Sequence, residues 1–540
     1  MKTYGIYLFY APTVDMRHQG LGRQLAAMLK AGALRPDIRF LVACPSWARE
    51  SLEALCESEG VPAGSFDVLS PPGPPAALYL YNAWVAHQAR RRGRASVVQR
   101  LTAIAERVAQ WVRSKLEAGV ATSRSVPALA AVIAVAGLAA LVAAPLRACW
   151  LMARWCARRV RGLAGMAALR GRLAGLVAQP KSEPLATRLY RMMQAREAQL
   201  LVDLINRQPG VRAWYCPTAF WPSFNAIRAP RLMCVPDVVL TEFPVAFSAV
   251  GGERFLENFR DVEAAIAGAG YFVTYSEHTK WRTLVDRYGV PEANVRAIAH
   301  APIDLSGWIS ASGFPDLAAV RRHRCEGLLR SAMARARTDY AAGFSNPGMR
   351  FIFYASQFRP SKNVLTLLRA YEHMLRKRLL PHKLVLTGDP DAMKEIADFI
   401  GAHRLGKDVL CLHGLSVPEL AACYSLAELA VNPSLSEGGC PFTFSEALSV
   451  GTPAVMARIP VTEETLDDPA LSGMMFFDPY DWRDLAVKVE WALANRGQLL
   501  QTQLEAYRKL ATRTWTDVVD EHVRALEHVI ACEAVEGAGR

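Results

Sequence analysis

Apolar residues in this chain fall mostly in short runs bounded by turn residues, with longer stretches of helical spacing between them. That is the pattern of buried strands alternating with helices. Tyr4–Tyr10, reading YGIYLFY, predicts a first buried strand, and Gly20-Leu21-Gly22 leads from it into a helix over Gln24–Lys30. Arg39–Ala43, Leu232–Val235 and Tyr271–Thr274 predict further strands in the first half. In the second half Arg350–Ser356, His382–Thr387 and Asp408–Leu412 do the same, each followed by turn residues and a helical stretch. The class is α/β, with parallel sheets and helical crossovers.

One region breaks the pattern. Leu101, Ile104, Val108, Trp111 or Val112, and Leu116 keep helical spacing, and Ser125–Leu146 then runs twenty-two residues without a charge between Arg124 and Arg147. That run is long enough to span a bilayer. A single crossing, however, would put two parts of one predicted sheet on opposite sides of the membrane. A re-entrant hairpin, an interfacial helix and an Ala-rich helix packed on protein remain. Trp150–Ala178 interrupts its apolar residues with Arg154, Arg158, Arg161, Arg170 and Arg172, as an interface helix does.

Charge sharpens this reading. The 540 residues have a formal net charge of +13, but positions 90–196 hold 20 Lys and Arg against three acids, so the remainder is net −4. Basic residues beside an apolar run suit an anionic membrane surface and argue against nucleic acid as the partner. The length allows two or three domains with full cores. Eleven cysteines without a CxxC pair point to reduced thiols, and MKTYGIYLFYAP lacks the organisation of a secretory signal.

The segment with most chemistry is Asn432–Val455, NPSLSEGGCPFTFSEALSVGTPAV. It reads as a strand end, a glycine turn and a short helix carrying Glu446, followed by Gly451-Thr452-Pro453 and another strand. Gly438 and Gly439 can adopt angles other residues avoid and admit a ligand closely. Pro441 suits the first helical position. Free amides of such a turn favour a diphosphate, and the Glu446 carboxylate can accept bonds from sugar hydroxyls. The turn Gly20–Gly22 can likewise offer amides to a phosphate.

Asn432–Val455 resembles the donor-site signature of GT-B glycosyltransferases of the family-four (group 1) type, in particular their bacterial mannosyltransferase-like members. Glu437 and Glu446 stand for the signature's two glutamates, with eight residues between them, one more than the family has. Lys362 matches the family's diphosphate-binding lysine. Gln357 stands at the partner arginine's position, with Arg359 two residues along. Gly20-Leu21-Gly22 matches the N-terminal glycine loop. In VPDVVLTEFP the chain has Pro236-Asp237 where many members have His-Asp. Asp389-Pro390-Asp391 imitates the metal motif of the other glycosyltransferase fold, and reads here as a turn and helix cap.

The resemblance implies two Rossmann-like domains facing a cleft. Residues 1–300 would form the acceptor-side domain, with the basic apolar insertion at 90–196, and 301–348 a helical linker. Residues 349–515 would bind the nucleotide sugar, and 516–540 would form a helix crossing back. It further implies retaining transfer of a hexose, mannose from GDP-mannose being favoured, and the basic apolar insertion points to a lipid-linked or polysaccharide acceptor. Donor binding falls to Gly20, Gly22, Arg359, Lys362, Glu437, Gly438, Gly439 and Glu446, and catalysis to Asp237 and Glu437, with no metal and no cofactor. The expected place is the cytoplasmic side of a bacterial inner membrane. A sugar-nucleotide epimerase of the same fold and a non-catalytic membrane scaffold are the alternatives.

Overall fold

The computed structural model describes residues 1–79, 81–83, 127, 134, 185–336, 344, 346 and 348–538. Two compact units are present, Met1–Gly73 with Glu197–Arg540, and Pro74–Arg196. The expected helix over Leu101–Leu116, the apolar run Ser125–Leu146 (Pro127 and Ala134 apart) and the basic stretch Trp150–Ala178 lie outside the described residues. No helix among the described residues is long and apolar enough to cross a membrane.

The larger unit is built on two parallel sheets. The first holds β1 (Lys2–Tyr7), β2 (Ile38–Ala43), β3 (Phe66–Leu69), β4 (Val211–Cys216), β5 (Arg231–Cys234), β6 (Phe272–Thr274) and β7 (Val295–Ala297), in the order β3-β2-β1-β4-β5-β6-β7. The second holds β8 (Phe351–Tyr354), β9 (Lys383–Leu386), β10 (Val409–Cys411), β11 (Leu429–Asn432), β12 (Ala454–Ala457) and β13 (Phe476–Phe477), in the order β10-β9-β8-β11-β12-β13. Both are doubly wound sheets with helical crossovers. Each switches direction beside its first strand, and ligands of such sheets bind beyond the carboxyl ends of the strands there.

The strands follow the predicted runs with trimmed ends. β1 stops at Tyr7 because Phe9 and Tyr10 turn out of the sheet: Phe9 packs on Trp47 with ring centroids 6.0 Å apart, and Tyr10 on Trp221 at 5.0 Å. The helix expected from Gln24 begins earlier, as α1 (Gly20–Ala33), so Gly20 and Gly22 lie in its first turn and not in a loop before it. A methyl on Gly22 would run into the Met16 carbonyl, so this glycine lets the turn Met16–His18 pack on the helix.

The segment 301–348, expected to be a helical linker, contains a helix and a few buried residues. Leu305 and Ile309, with Cys325, Leu329, Ala332 and Met333 of α2 (Leu317–Arg335), join the buried cluster around the second sheet. Arg335 also bonds Glu419 at 2.6 Å. Apolar residues on one face of a basic helix account for this: the arginines snorkel while the stripe is buried. The last helix, α3 (Trp515–Ala538), belongs to the other core. Its Val518, Val519, Ala525, Leu526 and Val529 pack into the cluster around the first sheet, and Glu527 pairs with Arg212 at 2.8 Å and Lys2 at 3.2 Å.

Within the first sheet Gly5 lies opposite Trp214 of β4, and the buried indole covers it so closely that a Cβ would fall inside the ring. Gly5→Ala should therefore cost roughly 1–3 kcal/mol by overpacking, read as a lowered denaturant midpoint with an unchanged slope. An unaltered midpoint would mean that Trp214 can move aside.

Candidate active site

The C-terminal half of the site begins where β8 ends. The chain leaves the sheet at Tyr354, runs through Gln357 and Arg359, and makes the short turn Pro360–Lys362. Asn363 then takes a left-handed conformation (φ 54°), and its amide donates to the Pro433 carbonyl at 3.1 Å and the Pro479 carbonyl at 2.7 Å. Those bonds fix the turn on the end of β11, so that Lys362 Nζ lies 2.5 Å from Glu437 Oε1. Burial alone would lower the lysine's pKa, but the Glu437 carboxylate beside it, together with Tyr354 and Asp237, raises it and keeps the ammonium charged.

Arg359 is exposed and donates to Gln357 Oε1 at 2.9 Å, while Gln357 Nε2 donates to the His18 carbonyl at 2.5 Å. Where the family carries an arginine, this glutamine ties Arg359 to the turn that precedes α1.

Beyond β11 the chain forms the glycine loop. Neither Gly438 nor Gly439 uses a positive φ, so the conformational freedom expected of them is not what the site needs. It needs the missing Cβ. A Cβ on Gly438 would strike the Pro236 carbonyl, and one on Gly439 would lie 3.0 Å from Tyr275 Cβ and 3.3 Å from His300 Nε2. The Gly438 carbonyl also accepts from Ser276 Oγ at 2.9 Å. The close approach predicted for a ligand is thus made by the N-terminal domain. Among the described residues, none of the amides of Glu437–Cys440 donates to a protein acceptor. The following helix is Phe442–Ser449, with Pro441 at the cap position and not at the first helical one.

Glu446 lies in that helix, 3% exposed, and pairs with Nη1 of Arg23 from α1. Arg23 Nε stands 3.6 Å from Glu59, which is also 3.7 Å from Lys30 Nζ. Asp237 follows β5 and is half-buried. Burial pushes its carboxyl up to about 6, against the Lys362 ammonium, while the Glu437 carboxylate adds to the rise. His300 sits with its ring centroid 4.4 Å from Phe442 and 5.8 Å from Tyr275, and burial pushes its pKa down to about 4, so it is neutral at pH 7.

The structure therefore gathers Asp237, Lys362, Glu437, Gly438 and Gly439 into one cluster, with Arg359 at its edge, and sets Glu446 in a second with Arg23 and Glu59. Gly20 and Gly22 share the helix turn that presents Arg23. Arg23, His300, Tyr275 and Ser276 are additions that sequence reasoning missed. Of these only Arg23, directly after the glycine pair, had a local signal. Asp389 accepts from the Asp391 amide at 3.0 Å and caps the turn Pro390–Ala392. Among the described residues no group of three or more His, Cys, Asp or Glu is placed to hold a metal.

The Asp237 environment gives a signed pH prediction. A carboxyl held near 6 in the fold and near 3.8 when unfolded makes the folded state the better proton binder. Its ionised form thus costs stability, a cost absent below pH 3.8 and complete above about pH 6. Asp237→Asn should raise stability at pH 8 by about 1–3 kcal/mol, allowing for solvent screening of a half-buried group. The gain should fade as pH drops through 6 towards 4. Equal or lower stability of the variant at pH 8 in thermal melts would contradict the assignment.

Residues 337–511 match the family model described as Glycosyl transferases group 1. A lipopolysaccharide 1,2-N-acetylglucosaminetransferase from Salmonella typhimurium is 28% identical over 158 residues, covering 27% of this chain. The chain spans 39% of the length of that relative. Among solved structures, Anabaena HepE in complex with UDP and glucose superposes with a TM-score of 0.53 at 12% identity, covering 98% of this chain and all of that one. A glycosyltransferase from Rickettsia africae gives 0.51 at 10% identity, covering 98% of each chain. The N-terminal domain of Candida albicans trehalose-6-phosphate phosphatase gives 0.54 at 12% identity, covering 98% of this chain and 97% of that one. The fold is that of the GT-B glycosyltransferases, and the stretch that matches the group 1 model contains the second sheet.

Proposed function

We propose that the chain is a nucleotide-sugar-dependent glycosyltransferase whose donor lies between the glycine loop and the turn at Lys362. The observation that carries this reading is the cluster itself. The amides of Glu437–Cys440 donate to no acceptor among the described residues, and Glu437 at the head of that loop pairs with Lys362, on the fold and within the family match just described. As the glycosidic bond to the donor breaks, negative charge develops on the leaving diphosphate. Preorganised amides and two cations stabilise it electrostatically, and this reading requires no metal and no further cofactor. Entry of the diphosphate takes Lys362 from Glu437, whose released carboxylate then serves the donor sugar. Asp237, two residues before the first helical turn after β5, is the N-terminal domain's carboxyl beside Lys362 and Glu437. We take the reaction to retain configuration.

The donor is read as a hexose carried on a nucleoside diphosphate. The family resemblance favours mannose from GDP-mannose. HepE was solved with UDP and with UDP-glucose, and the Salmonella relative is named for N-acetylglucosamine transfer, so UDP-linked sugars belong in the same donor panel. The acceptor is read as lipid-linked or polysaccharide. Half-exposed Phe9, Tyr10 and Trp47, with Phe220, stand beyond the carboxyl ends of the first sheet's strands, where apolar ring faces suit a sugar acceptor.

Glu446→Gln keeps the side chain's shape and removes its charge, so it should fold and lose donor affinity by about 1.5–3 kcal/mol. Lys362→Ala should weaken nucleoside diphosphate and diphosphate sugar alike while sparing the unphosphorylated nucleoside. Titration calorimetry distinguishes these results. Equal losses for nucleoside and diphosphate would remove Lys362 from the phosphate, and product appearing without any acceptor would favour an epimerase.

The net +17 of residues 90–196 motivates docking on the cytoplasmic face of a bacterial inner membrane. Apolar burial would supply the strength, and each arginine near anionic headgroups about 1 kcal/mol. On this reading the intact protein resists a 1 M salt wash, which cuts electrostatic range to about 3 Å, and is extracted by detergent. Replacing Ser125–Leu146 with a short polar linker should render it salt-extractable with donor binding intact. Recovery of the intact protein in the soluble fraction would contradict membrane docking.

A further inference from the structure

The second charge cluster is not explained by diphosphate binding. Glu446 is 3% exposed, and its ion-pair partner among the described residues is Arg23, which comes from the other sheet's domain, 423 positions away in sequence. The Arg23 side chain is only 14% exposed, its Nε faces Glu59 at 3.6 Å without a hydrogen bond, and fully buried Tyr424 stands beside Glu446. The surroundings of Glu446 therefore hold a carboxylate bonded by Arg23 on one oxygen and a guanidinium Nε with no hydrogen bond of its own, a polar network of the kind that a hydroxyl-rich ligand completes.

We propose that Arg23 is a positioning residue for the donor's ribose: it orients Glu446, so that the carboxylate accepts hydrogen bonds from the ribose hydroxyls. The inference rests on the reading of Glu446 as a donor-site residue. Arg23 engages Glu446 through Oε1 alone. A carboxylate has about four acceptor positions, so Oε2 stays available to the sugar. Glu59, 3.6 Å from Arg23 Nε and itself buried, holds the guanidinium from the other side, and Lys30 balances Glu59. Because Arg23 and Glu446 belong to different domains, ribose recognition by the second sheet's domain depends on the first domain being in place. Gly22, in the same helix turn, sets the depth at which Arg23 enters by allowing α1 to pack on the Met16 carbonyl.

The test is discrimination between ribose and its deoxy forms. UDP and GDP, each with its 2′-deoxy and 3′-deoxy analogue, are titrated by calorimetry into wild type, Arg23→Met, Arg23→Lys and Glu446→Gln, with circular dichroism and thermal melts confirming the fold. Wild type should prefer at least one ribonucleotide over its deoxy forms by roughly tenfold, the worth of one charged hydrogen bond. Arg23→Met should bind the ribonucleotide roughly tenfold more weakly and lose most of that preference. Arg23→Lys should recover part of it, and Arg23→Met combined with Glu446→Gln should bind no worse than Glu446→Gln alone. A structural role for Arg23 would lower the melting temperature and leave the ribose preference untouched, and that result overturns the inference. If Glu446→Gln keeps the wild-type preference, or neither nucleotide binds wild type, the donor-site reading of Glu446 falls first. If Glu446→Gln loses the preference and folded Arg23→Met keeps it, only the role of Arg23 is refuted.

Discussion

A charge taken out of water must be met by another charge or by hydrogen bonds, and that constraint organises the centre of this protein. Leaving one member of a buried pair alone costs about 3–5 kcal/mol. The site keeps its carboxylates and cations matched: Lys362 with Glu437, and Arg23 with Glu446 and Glu59. Asp237 is the exception. Burial draws its carboxyl towards the neutral form, opposed only in part by the Lys362 ammonium that Glu437 holds. Any anionic ligand entering this cluster must exchange partners with the groups present, so binding and rearrangement of the pairs are one event.

The glycine loop makes that exchange depend on both domains. Gly438 lies under the Pro236 carbonyl and Gly439 against Tyr275 and His300, contacts that any side chain would prevent. Ser276 holds the Gly438 carbonyl, and the Glu464 carboxylate accepts from the amides of Glu277 at 2.8 Å and His278 at 3.0 Å, tying the same N-terminal segment to the second domain. Pro236, standing where relatives have histidine, supplies a carbonyl contact here, and the imidazole in this neighbourhood is His300 from the end of the first sheet. The loop amides are left free because the loop is held by its carbonyl and by its lack of Cβ atoms.

What was legible in the sequence follows the range of the interactions. Strand runs such as Arg39–Ala43 and Leu232–Val235 are apolar over their own length, and the structure places strands there with ends moved by a residue or so. β1 was read three residues past its end because Phe9 and Tyr10 are apolar for a different reason, packing on Trp47 and Trp221 beyond the sheet. Lys362, Glu437 and Glu446 stood out because local motifs carry them. Arg23 could not be paired with Glu446 from the sequence, since nothing local records a partner so distant. In the stretch 301–348, read as a helical linker, arginines dominate the composition and hide Cys325, Leu329 and Met333, which pack from one face of its helix into the second sheet's core.

On the proposed reading the loop amides and Lys362 bind the diphosphate of a nucleotide while Glu446 takes its ribose. A crystal structure of the full chain grown with a nucleoside diphosphate decides this. Phosphate oxygens should lie within hydrogen-bond distance of the Gly438–Cys440 amides and of Lys362, with Glu437 no longer on Lys362 and ribose hydroxyls on Glu446. A nucleotide bound elsewhere, with the Lys362–Glu437 pair intact, would contradict it.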